Sequence, residues 1–194
     1  MISDAINKGA YQKTPFPYYI AEEALTKEPA DSLLDWLESD APWKLVETGF
    51  YEQYEFSFFS VDLPSIIAAL IDRPNLERVK GLVQDTFGVI LSDRMDVTAH
   101  KLLPGQRIRL HNDYIPGEET HRVLVQLNRG WDDENGGLLM FFNSSDPADI
   151  HRVLRPIHNS CIAFEVSPDS NHAVTVIHSG ERFTLVFSFY QSLS

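Results

Sequence analysis

"IRLHNDY", residues 108–114, sets His111 and Asp113 two positions apart at the end of a run that reads as a β-strand. Successive side chains of a strand point to opposite faces, so residues i and i+2 approach the same region of space. On this reading Arg107, Arg109, His111 and Asp113 share a polar inner face, while Ile108 and Leu110 form an apolar outer one. Polar side chains turned inward need a partner. Two explanations stand. Either the pair ends a strand at the turn "NDYIPG", where Asn and Asp serve the backbone, or it supplies two ligands to a metal ion.

Working outward, the chain from residue 92 onward consists of short apolar or alternating runs separated by Gly, Pro, Asn and Asp. The expected strands are "MDVTAHKLL" (95–103), "RIRLHND" (107–113), "RVLVQLN" (122–128), "GLLMFF" (137–142), "HRVLRP" (151–156), "CIAFEV" (161–166), "AVTVI" (173–177) and "FTLVFSFY" (183–190). Strands of this length and spacing predict a double-sheet jelly roll, a mostly antiparallel barrel that follows the helices. Upstream, "EPADSLLDWLESD" (28–40) reads as a helix, with Pro29 in its first turn and an apolar stripe of Leu33, Leu34, Trp36 and Leu37. Residues 43–61 read as two strands, and residues 63–88 as helix, break at Pro74, helix. The expected fold class is therefore mainly β with flanking helices, a double-stranded β-helix of jelly-roll or cupin-like type. Residues 1–194 form one domain, in which 1–90 support the sheet and 91–194 form the catalytic core.

Bulk properties narrow the function. Sixteen Lys and Arg against 28 Asp and Glu give a net charge of −12, which opposes binding to a phosphate backbone, so nucleic acid is not expected as a partner. No apolar run is long enough to span a bilayer, the first residues show no leader, and the single Cys161 allows no internal disulfide, so a cytoplasmic protein with no membrane association is expected.

All seven histidines follow residue 99, in the half that forms the barrel. Two of them, His172 and His178, lie where a third metal ligand is needed, and spacing alone does not choose between them. The last strand carries Arg182, Thr184, Val186 and Ser188 on one face and Phe183, Leu185, Phe187 and Phe189 on the other. An inward arginine meets an anionic ligand, pairs with an internal acid, or reaches out at the barrel mouth.

His111 and Asp113, a downstream histidine, and Arg182 ten residues after His172 form a pattern similar to that of the Fe(II)- and 2-oxoglutarate-dependent dioxygenases. The resemblance is to the prolyl-hydroxylase-like branch. It runs through "TAHKLLPGQRIRLHND", "HRVLVQLNRGWDDENGGLLMFF" and "SNHAVTVIHSGERFTLVFSFY", roughly residues 98–190, and includes Asn128, Trp131, Gly136, Gly137 and Leu138 in the family's order. It implies that His111, Asp113 and His172 are the catalytic metal ligands, a two-histidine, one-carboxylate triad for Fe(II). It selects His172 because Val174 and Arg182 follow at the family's spacing, and leaves His178 exposed near a turn. Arg182 then grips the distal carboxylate of 2-oxoglutarate, with Thr184 beside it. The family's tyrosines are replaced by Leu102 and Gln126. Gln126 and His100 are the candidate substitutes, His100 being equally a buried structural histidine, and Arg122, on the same strand face as Gln126, either touches cosubstrate or substrate or, as the favoured expectation, lies at the surface.

The resemblance further implies oxidative decarboxylation of 2-oxoglutarate to succinate and CO2, with O2 oxidising an unactivated C–H. An intact Asp113 favours hydroxylation over halogenation. The expected substrate is a peptide or amino acid, and some similar small bacterial enzymes modify ribosomally made peptides. Desaturation or cyclisation of such a peptide, a non-catalytic cupin-like metal-binding module, and a zinc-dependent hydrolase or isomerase are the alternatives. The strands of residues 51–60 and the loop Tyr114–Thr120 are the expected wall and lid.

Overall fold

The computed structural model describes residues 1–192. Among these, the strands in chain order are β1 (Ala10–Gln12), β2 (Tyr18–Ala21), β3 (Lys44–Glu47), β4 (Glu52–Ser57), β5 (Leu91–Leu102), β6 (Ile108–His111), β7 (His121–Gln126), β8 (Leu139–Phe142), β9 (Ile150–Leu154), β10 (Cys161–Glu165), β11 (His172–Val174) and β12 (Arg182–Gln191). The α-helices are α1 (Lys27–Ser39), α2 (Ser65–Ala68) and α3 (Arg73–Phe87). The strands form an eight-stranded sheet, β1-β2-β10-β7-β12-β5-β4-β3, and a four-stranded sheet, β6-β11-β8-β9. Every pairing between these strands is antiparallel. This is the jelly roll expected from the strand spacing, with one correction: the two sheets face each other without closing, and each keeps two edge strands.

Alternation along β12 separates two apolar layers. Phe183, Leu185, Phe187 and Phe189 join Leu33, Leu34 and Leu37 of α1 and Val79, Leu82 and Val83 of α3 in one core, so the helices cover the outer face of the large sheet. Val186, with Leu102 and Leu124, meets Leu139, Phe141 and Val174 of the small sheet in a second core between the sheets. The polar members of this inner face, Arg182, Thr184 and Ser188, border a cavity in that second layer.

Residues 1–90 contribute strands to the sheet itself. β2 pairs with β10, and β4 pairs with β5. β1 and β2 escaped sequence reading because strands of three and four residues, set on either side of Pro15 and Pro17, carry no usable alternation. The break between the later helices falls at Asp72, whose carboxylate accepts from the Asn75 backbone N–H at 2.9 Å, and Pro74 sits in the first turn of α3. At the other end of α3, Gly88 at φ 68° supplies the left-handed cap.

The predicted face of β6 needs correction. His111 opposes His172 while Ile108 opposes Val174, so β6 spends three steps where β11 spends two. This irregularity turns Ile108 and His111 both toward the cavity and leaves Arg107 and Arg109 exposed, on the side opposite to that expected.

Candidate active site

His111 ends β6, His172 begins β11, and the two strands are paired, so register alone brings the imidazoles together with ring centroids 4.2 Å apart. Asp113 lies just past β6 at φ 58°, a left-handed conformation uncommon for non-glycine residues and most tolerated by Asn and Asp. One ligand atom from each of His111, Asp113 and His172 lies within 4.8 Å of the others, the one such cluster of three among the described residues.

Backbone carbonyls fix both imidazoles. His111 Nδ1 donates to the Arg109 carbonyl at 2.7 Å, and His172 Nδ1 donates to the Ser170 carbonyl at 2.7 Å. A carbonyl only accepts, so each Nδ1 carries a proton, and in the neutral tautomer this leaves the Nε2 lone pair for a metal. Burial holds the His172 imidazole below its usual range, which keeps it neutral. These Nε2 atoms lie 3.3 and 3.2 Å from the two Asp113 oxygens. Burial alone would raise the Asp113 carboxyl, but the Arg122 guanidinium beside it opposes that and holds the group far below the usual carboxylate range. Three electron-rich atoms therefore converge with no proton to share between the histidines and the carboxylate, an arrangement that fits a cation. Phe50 and Phe164 hold the rings from either side, with centroids 4.6 Å from His111 and 5.1 Å from His172.

The cluster lines a cavity of about 240 Å³. Its other wall is a set of rows across the large sheet. Leu102 opposes Arg182; Glu55 opposes His100, which opposes Thr184, which opposes Gln126; Asp96 opposes Ser188, which opposes Arg122. Arg182 is 4% exposed, and its Nη1 donates to Thr184 Oγ1 at 2.9 Å. No carboxylate pairs with it among the described residues, and its Nε has no partner. Burial pushes Arg182 down to about 10, so it remains a cation at neutral pH. A buried cation without an anion costs several kcal/mol unless a ligand supplies the charge. The donor set thus fits a dicarboxylate that reaches the metal cluster at one end and Arg182 at the other.

The remaining expected residues fall in different places. Thr184 donates to Gln126 Oε1 at 3.1 Å; Gln126 is fully buried behind it, off the cavity wall, with its Nε2 unpartnered. His100 lines the cavity 3.2 Å from Thr98 Oγ1, and burial pushes it down to about 3, so it is neutral. His178 is exposed, as expected. The segment of residues 51–60 does supply cavity wall, through Tyr51, Gln53 and Glu55. Residues 114–118 are exposed beside the mouth, with Tyr114 and Ile115 bordering a depression that shares His111 and Asp113.

Arg122 follows the less favoured of its two expectations. It is not at the surface but lines the cavity, donating through Nη1 to Asp113 and through Nε and Nη2 to Glu119 at 2.9 and 2.6 Å. Its shared face with Gln126 was the available signal, since that face turns inward. Asn128 accepts from the Phe183 N–H at 2.7 Å and donates to the Phe183 carbonyl at 3.1 Å, pinning β12 next to Arg182. The carbonyls of Arg109 and Ser170 had no signal at all, because a backbone group is independent of residue type.

Residues 97–190 match the 2OG-Fe(II) oxygenase superfamily. Prolyl 3-hydroxylase OGFOD1 of Mus musculus is 27% identical over 126 residues, covering 59% of this chain and 23% of that protein, so the chain spans about a quarter of this curated relative. A prolyl-4-hydroxylase from Pseudomonas putida superposes with a TM-score of 0.74 at 15% identity, covering 91% of this chain and 93% of that one. A prolyl hydroxylase from Trichoplax adhaerens, in complex with a hypoxia inducible factor oxygen degradation domain peptide fragment, gives 0.72 at 11% identity, covering 90% and 83%. The jelly roll, the ligand cluster and Arg182 all fall within or beside the matched segment, which is just under half of the chain, and these likenesses support an enzyme similar to the 2OG-Fe(II) oxygenases, a family that uses Fe(II), 2-oxoglutarate and O2.

Proposed function

We propose that this enzyme hydroxylates an unactivated C–H of a peptide, with His111 Nε2, one Asp113 oxygen and His172 Nε2 holding Fe(II) and with Arg182 holding the distal carboxylate of 2-oxoglutarate. The observation that carries the reading is the buried, anion-free Arg182 in the same cavity as three convergent metal-ligand atoms. Bound there, Fe(II) with 2-oxoglutarate and O2 supplies oxidative decarboxylation to succinate and CO2 coupled to oxidation of the substrate.

The chain's own residues bind and orient. His111, Asp113 and His172 would hold the ion with three protein ligands and leave it open to cosubstrate and O2. Thr184 orients the Arg182 guanidinium, and Gln126 acts through Thr184. Neutral His100 offers a hydrogen-bonding nitrogen on the same row, while Leu102 and Val186 keep the pocket apolar and exclude water.

A peptide is favoured by the ground around the mouth. Depressions of about 640 and 490 Å³ share Phe50 and flank the cavity, the first bordered by Arg107 and Arg109 and the second by Tyr114 and Ile115. An extended chain crossing the cavity would have room on both sides of the oxidised residue. The Trichoplax relative, of the same fold, is bound to a peptide fragment. The test is incubation with Fe(II), 2-oxoglutarate and either proline-containing peptides or free amino acids, read by mass spectrometry. Peptides that gain one oxygen atom with matching succinate support the reading. Gain on free amino acids alone, or loss of two hydrogens in place of oxygen gain, overturns the proposed substrate or outcome.

A further inference from the structure

Building on the metal site just proposed, we propose that Arg122 is a positioning residue for Asp113: it fixes which carboxylate oxygen faces the ion and ties that ligand, through Glu119, to the loop of residues 114–120. Asp113 needs such a tie. It lies beyond the last β6 ladder pair, on a left-handed backbone, so no strand pairing holds it. Its side chain has three polar neighbours, His111 Nε2 near Oδ1 and His172 Nε2 and Arg122 Nη1 near Oδ2. Both imidazoles spend Nδ1 on backbone carbonyls, and an Nε2 that ligates the ion has nothing to donate to Asp113. Arg122 is then the donor that orients the carboxylate.

Arg122 is itself rigidly placed. β7 sets it opposite Ser188 on one side and Phe164 on the other, and Glu119 clamps Nε and Nη2 bidentately, in the fork geometry that a lysine lacks. The side chains of Asp113 and Glu119 are each only 14% exposed, so solvent does little to replace these contacts. With Oδ2 engaged by Nη1, Oδ1 is left to the ion. One bond per carboxylate keeps the open positions that cosubstrate and O2 require. Glu119 closes the loop that begins at Asp113, so the loop carrying exposed Tyr114 and Ile115 is fastened to the metal site at both ends.

Two effects of opposite sign make this testable. Arg122 is a cation near a dication, so by repulsion alone its removal would tighten metal binding; by positioning, its removal loosens it. Losses of outer-sphere partners of metal ligands run to about 10–100-fold in affinity. Titration of the intact protein with Mn(II), followed by the electron paramagnetic resonance of free Mn(II), should show binding weakened about 10-fold or more in Arg122→Gln. The visible absorption of the Co(II) complex should change shape as the carboxylate is freed to bind through both oxygens. Arg122→Lys should rescue only in part. The double variant Arg122→Gln/Glu119→Gln removes the orphaned Glu119 charge and serves if the single variant fails to fold; it should stay weak. Binding equal to or tighter than wild type in either variant, with an unchanged Co(II) spectrum, overturns the proposal. A His172→Ala control separates the two readings: if it binds Mn(II) as wild type does, the metal site itself is wrong and the role of Arg122 falls with it.

Discussion

At the scale of single residues, the site is a set of groups that the fold alone would not keep. Arg182 is a buried cation that finds only Thr184. Replacing it with an apolar side chain of similar length, Arg182→Met, should stabilise the ligand-free protein by roughly 1 kcal/mol or more, because an unpaired buried charge is removed. The same variant should lose the rise in melting temperature that 2-oxoglutarate gives the wild type, as read by thermal unfolding with and without the acid. His121 makes a second case. Burial pushes it down to about 4, against 6.5 when unfolded, and its Nε2 has no partner. Between these values the unfolded chain binds a proton that the folded chain refuses. Stability contributed by this group is therefore complete above about pH 6.5 and falls as pH drops toward 4, by up to about 1.4 kcal/mol per pH unit. His121→Gln should flatten the loss of urea midpoint between pH 7 and pH 5; an unchanged slope would remove His121 as its source. Residue type singled out His111, Asp113 and Arg182 as candidates, while only the family resemblance chose His172 over His178. Residue type favoured the surface for Arg122, because an arginine at a strand start says nothing of the two acids that the following fold brings to it.

At the scale of elements, alternation was readable where strands are long and regular. β12 holds its pattern over ten residues, and its inner and outer faces fall as the sequence predicts. β6 has four residues and an irregular register, so the same rule set Arg107 and Arg109 on the wrong side. The Gly136–Gly137 segment shows what a motif does before its chemistry is known. Both residues have positive φ, and a Cβ on Gly137 would lie 2.6 Å from Ile177 Cδ1 and 2.9 Å from Arg182 Cδ. Trp131 Nε1 holds the Gly136 carbonyl at 2.9 Å, fixing the approach. Gly137→Ala should cost about 2–4 kcal/mol from the backbone strain and the overlap together. It should also weaken 2-oxoglutarate binding by displacing the Arg182 stem. Equilibrium unfolding and a 2-oxoglutarate titration check the two effects separately.

At the scale of the whole molecule, three layers divide the labour. The helices α1 and α3 cover one face of the large sheet and make it rigid, and the small sheet covers the other and brings His111 and His172 to the rows that carry Arg182 and His100. The sequence disclosed the jelly roll through its strand spacing, but not that β2 and β4 extend its large sheet, since that pairing joins segments far apart in the chain. No helix among the described residues is long and apolar enough to cross a membrane. A cavity with a metal end and an acid end should bind both together: saturating Mn(II) and 2-oxoglutarate, each at about 100 times its dissociation constant, should each stabilise the fold by about 2.7 kcal/mol. The most direct test of the central claim is the conversion of 2-oxoglutarate to succinate by the purified protein with Fe(II) and O2. Turnover that requires Fe(II) and disappears in both Asp113→Ala and Arg182→Met is the predicted result; turnover that persists in Asp113→Ala, or that proceeds equally without iron, would contradict it.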